Sequence, residues 1–570
     1  MSRRLALCVL VVLLVLLWWL RNPPPAEVGQ EDADGPVAEH LPGVLVVDFV
    51  DGTTEAQIRA VAARTGIPLA YSSAVSADEA LTAAEVDDVA AALALLSGEP
   101  GIEVAEPAVT MAALGYPDDP RWDEQWNLRL VGAPAGWRVG AGRGVTVAVI
   151  DTGVSPVSDL AGVNLRAGMS FVPGVSTAAD DHGHGTHVAG TIAQATNNGL
   201  GVAGLAQGVT LLPYKVLAAN GSGRDDRIAA AVDQAVDDGA DVINLSLGGG
   251  HSEVLHLAVQ KAAAAGVVVV AAAGNSGQEG VSCPGHATGV LGVGSVGPDS
   301  TLAPYSSWGE GLDLVGPGGD LSQTGGGVLQ QTVDGPDGAQ FAAWQGTSMA
   351  SPHVAGAAAV LLGAGAGGPE RVKGLLLGTT TDLGEPGWDA HFGHGLLDLG
   401  AAVRRVQIMG FGLAFAIAGL LGGAAASLGR AGAGARGLTA MTAALVAGGL
   451  FFLPLLPLPP SLAMSLASRG LLCWPGALLG WEWNHFPLWA SALLPVLAVV
   501  VLGPTRLWPL AVGLALGLAV ALLQAAALGL IEPWWLGRLG PAWLVVNGVL
   551  ALIAGLAAAG MQRARAQGRL

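Results

Sequence analysis

Apolar positions along the chain fall into two regimes. Between residues 145 and 293, short Val- and Ile-rich runs alternate with amphipathic stretches. Val145–Ile150, Thr210–Val216, Asp241–Leu247, Val267–Ala273 and Gly289–Val293 read as five strands, with helices over Ile228–Asp238 and Val254–Ala265 between them. Alternation at this spacing predicts an α/β fold, a doubly wound parallel sheet with helices on both faces. Ligand sites in such sheets gather at the carboxyl ends of the strands. Past residue 404 the pattern changes. Uncharged stretches at 406–428, 437–458, 486–503, 507–530 and 541–561 are each long enough to cross about 30 Å of hydrocarbon. They predict a transmembrane helical bundle over 404–570 with about five spans. Residues 461–480 are apolar but broken by Arg469 and Pro475, and read as a re-entrant or interfacial segment.

The N-terminus opens with Arg3 and Arg4, followed by sixteen apolar residues from Leu5 to Leu20. This is an export signal over residues 1–21. No small-residue cleavage site follows Trp18-Trp19-Leu20-Arg21, which favours an uncleaved signal anchor over a removed signal peptide. A Pro- and acid-rich linker fills 22–42. A small α+β unit follows at 43–115: a strand over Val44–Val50, a helix capped by Thr53 or Thr54, a helix over Ala83–Leu96 and a strand over Ile102–Glu106. With Arg3 and Arg4 inside, residues 21–405 lie outside. Five spans then put Arg430, Arg436, Arg506, Arg563, Arg565 and Arg569 inside, as the positive-inside rule prefers, and Arg469 and Arg538 outside. The chain is therefore expected to be an integral membrane protein whose central domain faces away from the cytoplasm.

Charge sharpens the division. The chain has 45 acids and 26 bases, net −19, yet only two acids and eight arginines fall in residues 406–570. The remaining 43 acids and 18 bases give the front half a balance of −25, which argues against nucleic acid as a partner. The three cysteines, Cys8, Cys283 and Cys473, offer no disulfide framework or Cys-based zinc site. Cys283 reads as a buried thiol, with a place in a pocket wall as the alternative. Trp481-Glu482-Trp483-Asn484-His485 reads as a membrane-interface belt.

Four segments carry chemistry. Val147-Ala148-Val149-Ile150-Asp151-Thr152-Gly153 ends a strand in a carboxylate; an aspartic-protease dyad would need a second Asp-Thr-Gly, and there is none. Asp181-His182-Gly183-His184-Gly185-Thr186-His187 holds three histidines but lacks the glutamate of a zincin helix. Val270–Gly277 ends a strand at Asn275. Gly346-Thr347-Ser348-Met349-Ala350-Ser351-Pro352-His353 leads into a small-residue helix, with Pro352 expected in its first turn. A serine hydroxyl attacks carbonyls only when a base takes its proton and a third group holds that base in one tautomer. Ser348, His184 and Asp151 supply nucleophile, base and orienter. Asn275 can donate to the developing oxyanion beside a backbone N–H near Ser348.

Residues 116–403 resemble the subtilisin-like (subtilase) serine peptidases. VAVIDTGV at 147–154, HGTHVAG at 184–190, AAGN at 272–275 and GTSMASPHVAG at 346–356 carry the resemblance. The order Asp…His…Ser is that of subtilisin itself. The resemblance implies a subtilisin-like catalytic domain over 116–403, His187 as a structural residue, and a peptide or protein substrate. Leu245–Gly249, with Ser246, Leu247 and Gly248 as the substrate-binding residues, would form one wall, and Lys215–Gly223 the other. An extended peptide would add between the two walls by backbone hydrogen bonds. The unit at 43–115 resembles the family's propeptide, with processing expected between Met111 and Tyr116. No cofactor is required for the chemistry. Structural calcium stays open, with Asp159, Asp180 and Asp181 as candidate acids but no EF-hand-type spacing. The expected function is thus a membrane-tethered serine endopeptidase made as a zymogen. The alternative is a non-catalytic peptide-binding or signalling membrane protein.

Overall fold

The computed structural model describes residues 40–50, 52–71, 76–77, 80–109, 117–333, 339–456, 460–479, 490–528, 530–531, 536 and 539–569. The expected signal, linker, processing site and tryptophan belt lie wholly or largely outside these residues. The chain divides into two compact units at Tyr116–Pro117.

The first unit is a four-stranded antiparallel sheet, β1 (His40–Phe49), β2 (Ala70–Tyr71), β3 (Leu81–Glu85) and β4 (Ile102–Val109), in the order β2-β3-β1-β4. Two helices, α1 (Glu55–Thr65) and α2 (Val89–Leu96), lie with it. Leu45, Val47 and Phe49 alternate inward from β1 and meet Ile58, Val61 and Leu96. The helix expected over Ala83–Leu96 is divided. Its first part is β3, with Ala83 opposite Val46. Helix begins only at Val89, after Asp88, whose side chain accepts from the Ala91 N–H at 3.0 Å. Alanine favours helix locally, but ladder bonds to β1 override that weak preference.

The second unit starts from a parallel sheet. Its strands are β5 (Thr146–Asp151), β6 (Asn164–Leu165), β7 (Met169–Ser170), β8 (Thr210–Lys215), β9 (Val242–Leu245), β10 (Val268–Ala272), β11 (Val290–Val296) and β12 (Leu314–Pro317). Their order is β12-β11-β10-β9-β5-β8-β6, with β7 beside β8. The five expected strands are β5, β8, β9, β10 and β11. Two-residue β6 and β7, and β12 with its central glycine, are too short or too weakly apolar to show in the sequence. The chain leaves β5 toward β8 and returns past it to β9, so β5 lies at the switch point where such sheets place their sites. On one face α4 (Asp225–Asp237) and α5 (Glu253–Ala264) bury Ile228, Val232 and Val259 against Ile150, Leu212, Ile243 and Val269. On the other lie α3 (His184–Ala193) and α6 (Thr347–Gly363). Helix α6 is buried from Met349 through Leu362, and most of that stretch is small and apolar. An antiparallel hairpin, β13 (Val328–Val333) and β14 (Ala339–Trp344), packs against α3.

The sheet domain runs on into the helical region without a loop. Helix α7 (Leu399–Arg405), a π-helical segment Val406–Gly412 and α8 (Leu413–Leu428) form one 30-residue rod. Three helices among the described residues are long and apolar enough to cross a membrane: this rod, α11 (Trp508–Leu528) and α12 (Gly540–Ala566). The other two expected spans are shorter helices, α9 (Ala433–Gly448, 16 residues) and α10 (Leu493–Leu502, 10 residues). Helix α9 stops at Gly449, which takes the left-handed φ of +59°. The bundle interior is lined largely by small residues. Ala414, Ala418 and Ala425 meet Ala443, Ala511, Ala515 and Ala558, while Leu420, Val500, Val546 and Ile553 are exposed.

Residues 461–479 form two short helices and a turn that dock on the sheet domain through Arg469. Its guanidinium donates to the carbonyls of Gly363 (2.6 Å), Val139 (2.7 Å) and Ser465 (2.7 Å). Burial pushes this group down to about 10, which still leaves it charged at neutral pH.

Candidate active site

Asp151 ends β5 and is fully buried. Its Oδ1 accepts from the Thr152 N–H at 2.7 Å and from His184 Nδ1 at 2.7 Å. A carboxylate accepts only, so Nδ1 carries the proton and Nε2 is left as the basic nitrogen. His184 is the first residue of α3 and its side chain is 21% exposed. Burial pulls its pKa down, but the charge and hydrogen bond of Asp151, with the more distant charge of Asp180, more than offset this. The net shift is upward.

The start of α3 is set by a residue the sequence reading had assigned elsewhere. Asp180 was a calcium candidate, yet its carboxylate accepts from the backbone N–H groups of His182, Gly183 and Thr186 and from the hydroxyls of Thr152 and Thr186. It caps the helix and ties it to the strand that carries Asp151. An acid three residues ahead of a Gly-His helix start was the available signal. Gly183 takes a left-handed φ of +101°, and a Cβ there would run into the Val333 carbonyl.

Ser348 is the second residue of α6. Pro352 lies inside this helix rather than in its first turn. Having no N–H, it cannot bond the Ser348 carbonyl four residues back. The Ser246 hydroxyl takes that place, donating to Ser348 O at 2.8 Å and pairing with Ser351 Oγ at 2.8 Å. Ser246, expected to bind substrate, lines the cavity, and its hydroxyl in addition holds the serine helix. The Ser348 hydroxyl donates to the Ser246 carbonyl at 3.0 Å, and no hydrogen bond joins it to His184 among the described residues. Both residues nonetheless line the same cavity of about 910 Å³.

Asn275 is held by its oxygen. Oδ1 accepts from Thr347 N at 2.9 Å and Thr347 Oγ1 at 2.9 Å, leaving Nδ2 free to donate. A methyl group on Gly346 would stand 3.6 Å from that Nδ2 and 3.7 Å from Ser348 N. The two donors therefore face one space, which a glycine keeps open. Thr347, not singled out from sequence, is what aims the amide.

Leu247 and Gly248 line the cavity on one side and Gly221, Ser222 and Gly223 on the other. Cys283 lines it too, buried, with its thiol pushed up by burial. His182 also faces the cavity. His187 is buried against Trp344 (centroids 4.7 Å, interplanar 6°) and hydrogen-bonds to Val328 O and Ala342 O. Burial pushes it down to about 3, so it is neutral.

The calcium candidates do not converge. Asp181 pairs with the buried Lys215 at 2.6 Å, and Asp159 accepts from Asn198 Nδ2 and Val202 N, both at 2.9 Å. Asp119, near Asp159, is pushed up to about 6 by burial and by the charges of Asp118 and Asp159, against two backbone hydrogen bonds.

The Subtilase family pattern matches residues 142–395. Subtilisin BL of Lederbergia lenta is 42% identical over 282 residues, 49% of this chain and 98% of that protein. An extracellular protease of Xanthomonas campestris pv. campestris is 32% identical over 448 residues, 66% of this chain and 75% of that protein. A solved structure of proteases from Pseudoalteromonas arctica PAMC 21717 aligns at 35% identity with a TM-score of 0.48, covering 51% of this chain and 99% of that one.

Proposed function

The chain belongs to the subtilase family of serine endopeptidases, and from that premise we propose a membrane-tethered, zymogen-derived enzyme that works through an acyl-enzyme on Ser348. The observation that carries this is the buried Asp151 fixing the His184 tautomer at the mouth of the cavity that Ser348 also lines. A turn about the Ser348 side chain takes its hydroxyl from the Ser246 carbonyl toward His184 Nε2. That nitrogen accepts the proton as Oγ attacks a peptide carbonyl. The oxyanion meets Asn275 Nδ2 and the Ser348 N–H. His184 then protonates the leaving amine, and a water repeats the sequence to free the acid. The substrate backbone would lie between Leu245–Gly248 and Gly221–Gly223.

The tether rests on the three apolar helices and on their small-inside, large-outside packing, which suits lipid better than water. A relative named as an extracellular protease favours a catalytic domain outside the cytoplasm. The compact unit ending at Tyr116 is where a propeptide would stand.

A fluorophosphonate probe on isolated membranes tests this reading. It should label a band that resists alkaline extraction, and Ser348→Ala should abolish labelling and leave the N-terminal unit uncut. Processed wild-type protein that fails to label, beside a labelled control protease, would favour the peptide-binding alternative.

A further inference from the structure

Three histidines that the proposed chemistry does not use stand together beside the cavity, with His251 in its lining. His251, His256 and His286 each offer a ring nitrogen within 4.8 Å of the others, the only such His, Cys or acid group among the described residues. The ring centroids of His256 and His286 are 4.9 Å apart, and those of His251 and His256 are 5.3 Å apart. They come from three segments: the Gly248-Gly249-Gly250-His251 loop after β9, the first turns of α5, and the loop before β11. We propose that His251, His256 and His286 form a zinc site that ties together the two loops behind the substrate cavity.

Three features support a metal here. His286 Nδ1 bonds the Val281 carbonyl at 2.9 Å, which fixes the ring and leaves Nε2 as the nitrogen for a metal, as is usual for metal-binding imidazoles. Zn–N bonds of about 2.0–2.1 Å need tetrahedral nitrogens roughly 3.3 Å apart, so the rings must close by about an ångström. Gly250, between the anchored Gly249 and His251, has open space around its Cα and the conformational freedom of a glycine, which lets His251 adjust. Glu253, 3.5 Å from His251 Nε2, or a water can complete four ligands.

The position gives the ion a consequence. Gly249 and Cys283 already exchange backbone hydrogen bonds at 3.0 and 3.2 Å. His251 lies two residues beyond the first and His286 three beyond the second, so a bound ion ties together the same two segments. Neither Ser348 nor His184 is a ligand. Zinc is therefore expected to shift KM for peptides more than kcat.

The test uses full-length Ser348→Ala protein in detergent, titrated with Co²⁺ as a visible probe and then with Zn²⁺. The expected result is one equivalent of Co²⁺ with d–d absorption, displaced by Zn²⁺. His256→Ala and His286→Ala should each abolish it and His391→Ala should not. Fluorophosphonate labelling of the same substitutions in protein carrying Ser348 reports intact folding. Should either alanine variant fail that check, His256→Gln and His286→Gln carry the comparison. Absence of stoichiometric Co²⁺ binding, or binding that survives loss of both His256 and His286, overturns the proposal. The metal readout does not depend on peptidase activity.

Discussion

The sheet domain and the helical region sort their residues in opposite ways. In the first, Ile150, Leu211, Leu212, Tyr214 and Leu245 are buried to within 2%. In the second, alanines and glycines fill much of the interior, while Val500, Val546 and Ile553 are more than half exposed. Water expels large apolar surface; hydrocarbon does not, so close approach of helices through small residues becomes the stronger term. The contrast also separates function: titratable chemistry gathers in the first region, and only two acids, Glu482 and Glu532, fall in residues 406–570.

The comparison can be broken at either end. The largest effect is expected from His184→Ala, which should lower turnover by about 10⁶-fold, the scale known for subtilisin's own histidine, without changing membrane extraction. Asn275→Ala should lower kcat by about 10²–10³-fold with little change in KM, again the subtilisin scale; a change confined to KM would remove Asn275 from the oxyanion site. Ile553→Arg should cost about 2.5–3.5 kcal/mol of membrane insertion and leave the active-site geometry alone. A soluble bundle would tolerate this exposed substitution within about 0.5 kcal/mol, so the yield of membrane-inserted protein decides between the two solvents. The smallest effect is in pH. His184 must be neutral to act, and its pKa is raised above about 6.5. Activity should therefore fall as pH drops through a midpoint above that value, read from kcat/KM in the free enzyme.

Much of this was legible in sequence because it was periodic or local. Five strands showed as apolar runs, and Asp151, His184, Asn275 and Ser348 stood in local motifs at strand or helix ends. What was missed depended on partners far along the chain. Besides lining the cavity, Ser246 gives its hydroxyl to a carbonyl that Pro352 leaves without a donor, 102 residues away, and no local pattern shows that. Asp180 looked like a cation ligand until the start of α3 supplied its donors. The start of the Ala83–Leu96 segment departs from helix because helix propensity is weak and pairing of Ala83 with Val46, 37 residues earlier, outweighs it. Hydropathy also does not register where a helix stops, such as α9 at the left-handed φ of Gly449.

The unbroken rod from Leu399 to Leu428 has a mechanical meaning. At about 1.5 Å per residue it is roughly 45 Å long. It has no hinge where a linker would normally sit, and Arg469 clamps a second point. A rigid axle of this kind couples tilt at one end to tilt at the other. With the rod in a bilayer, the cleft would ride at a set height and angle, and scissile bonds within its reach would be chosen by altitude as much as by side chain.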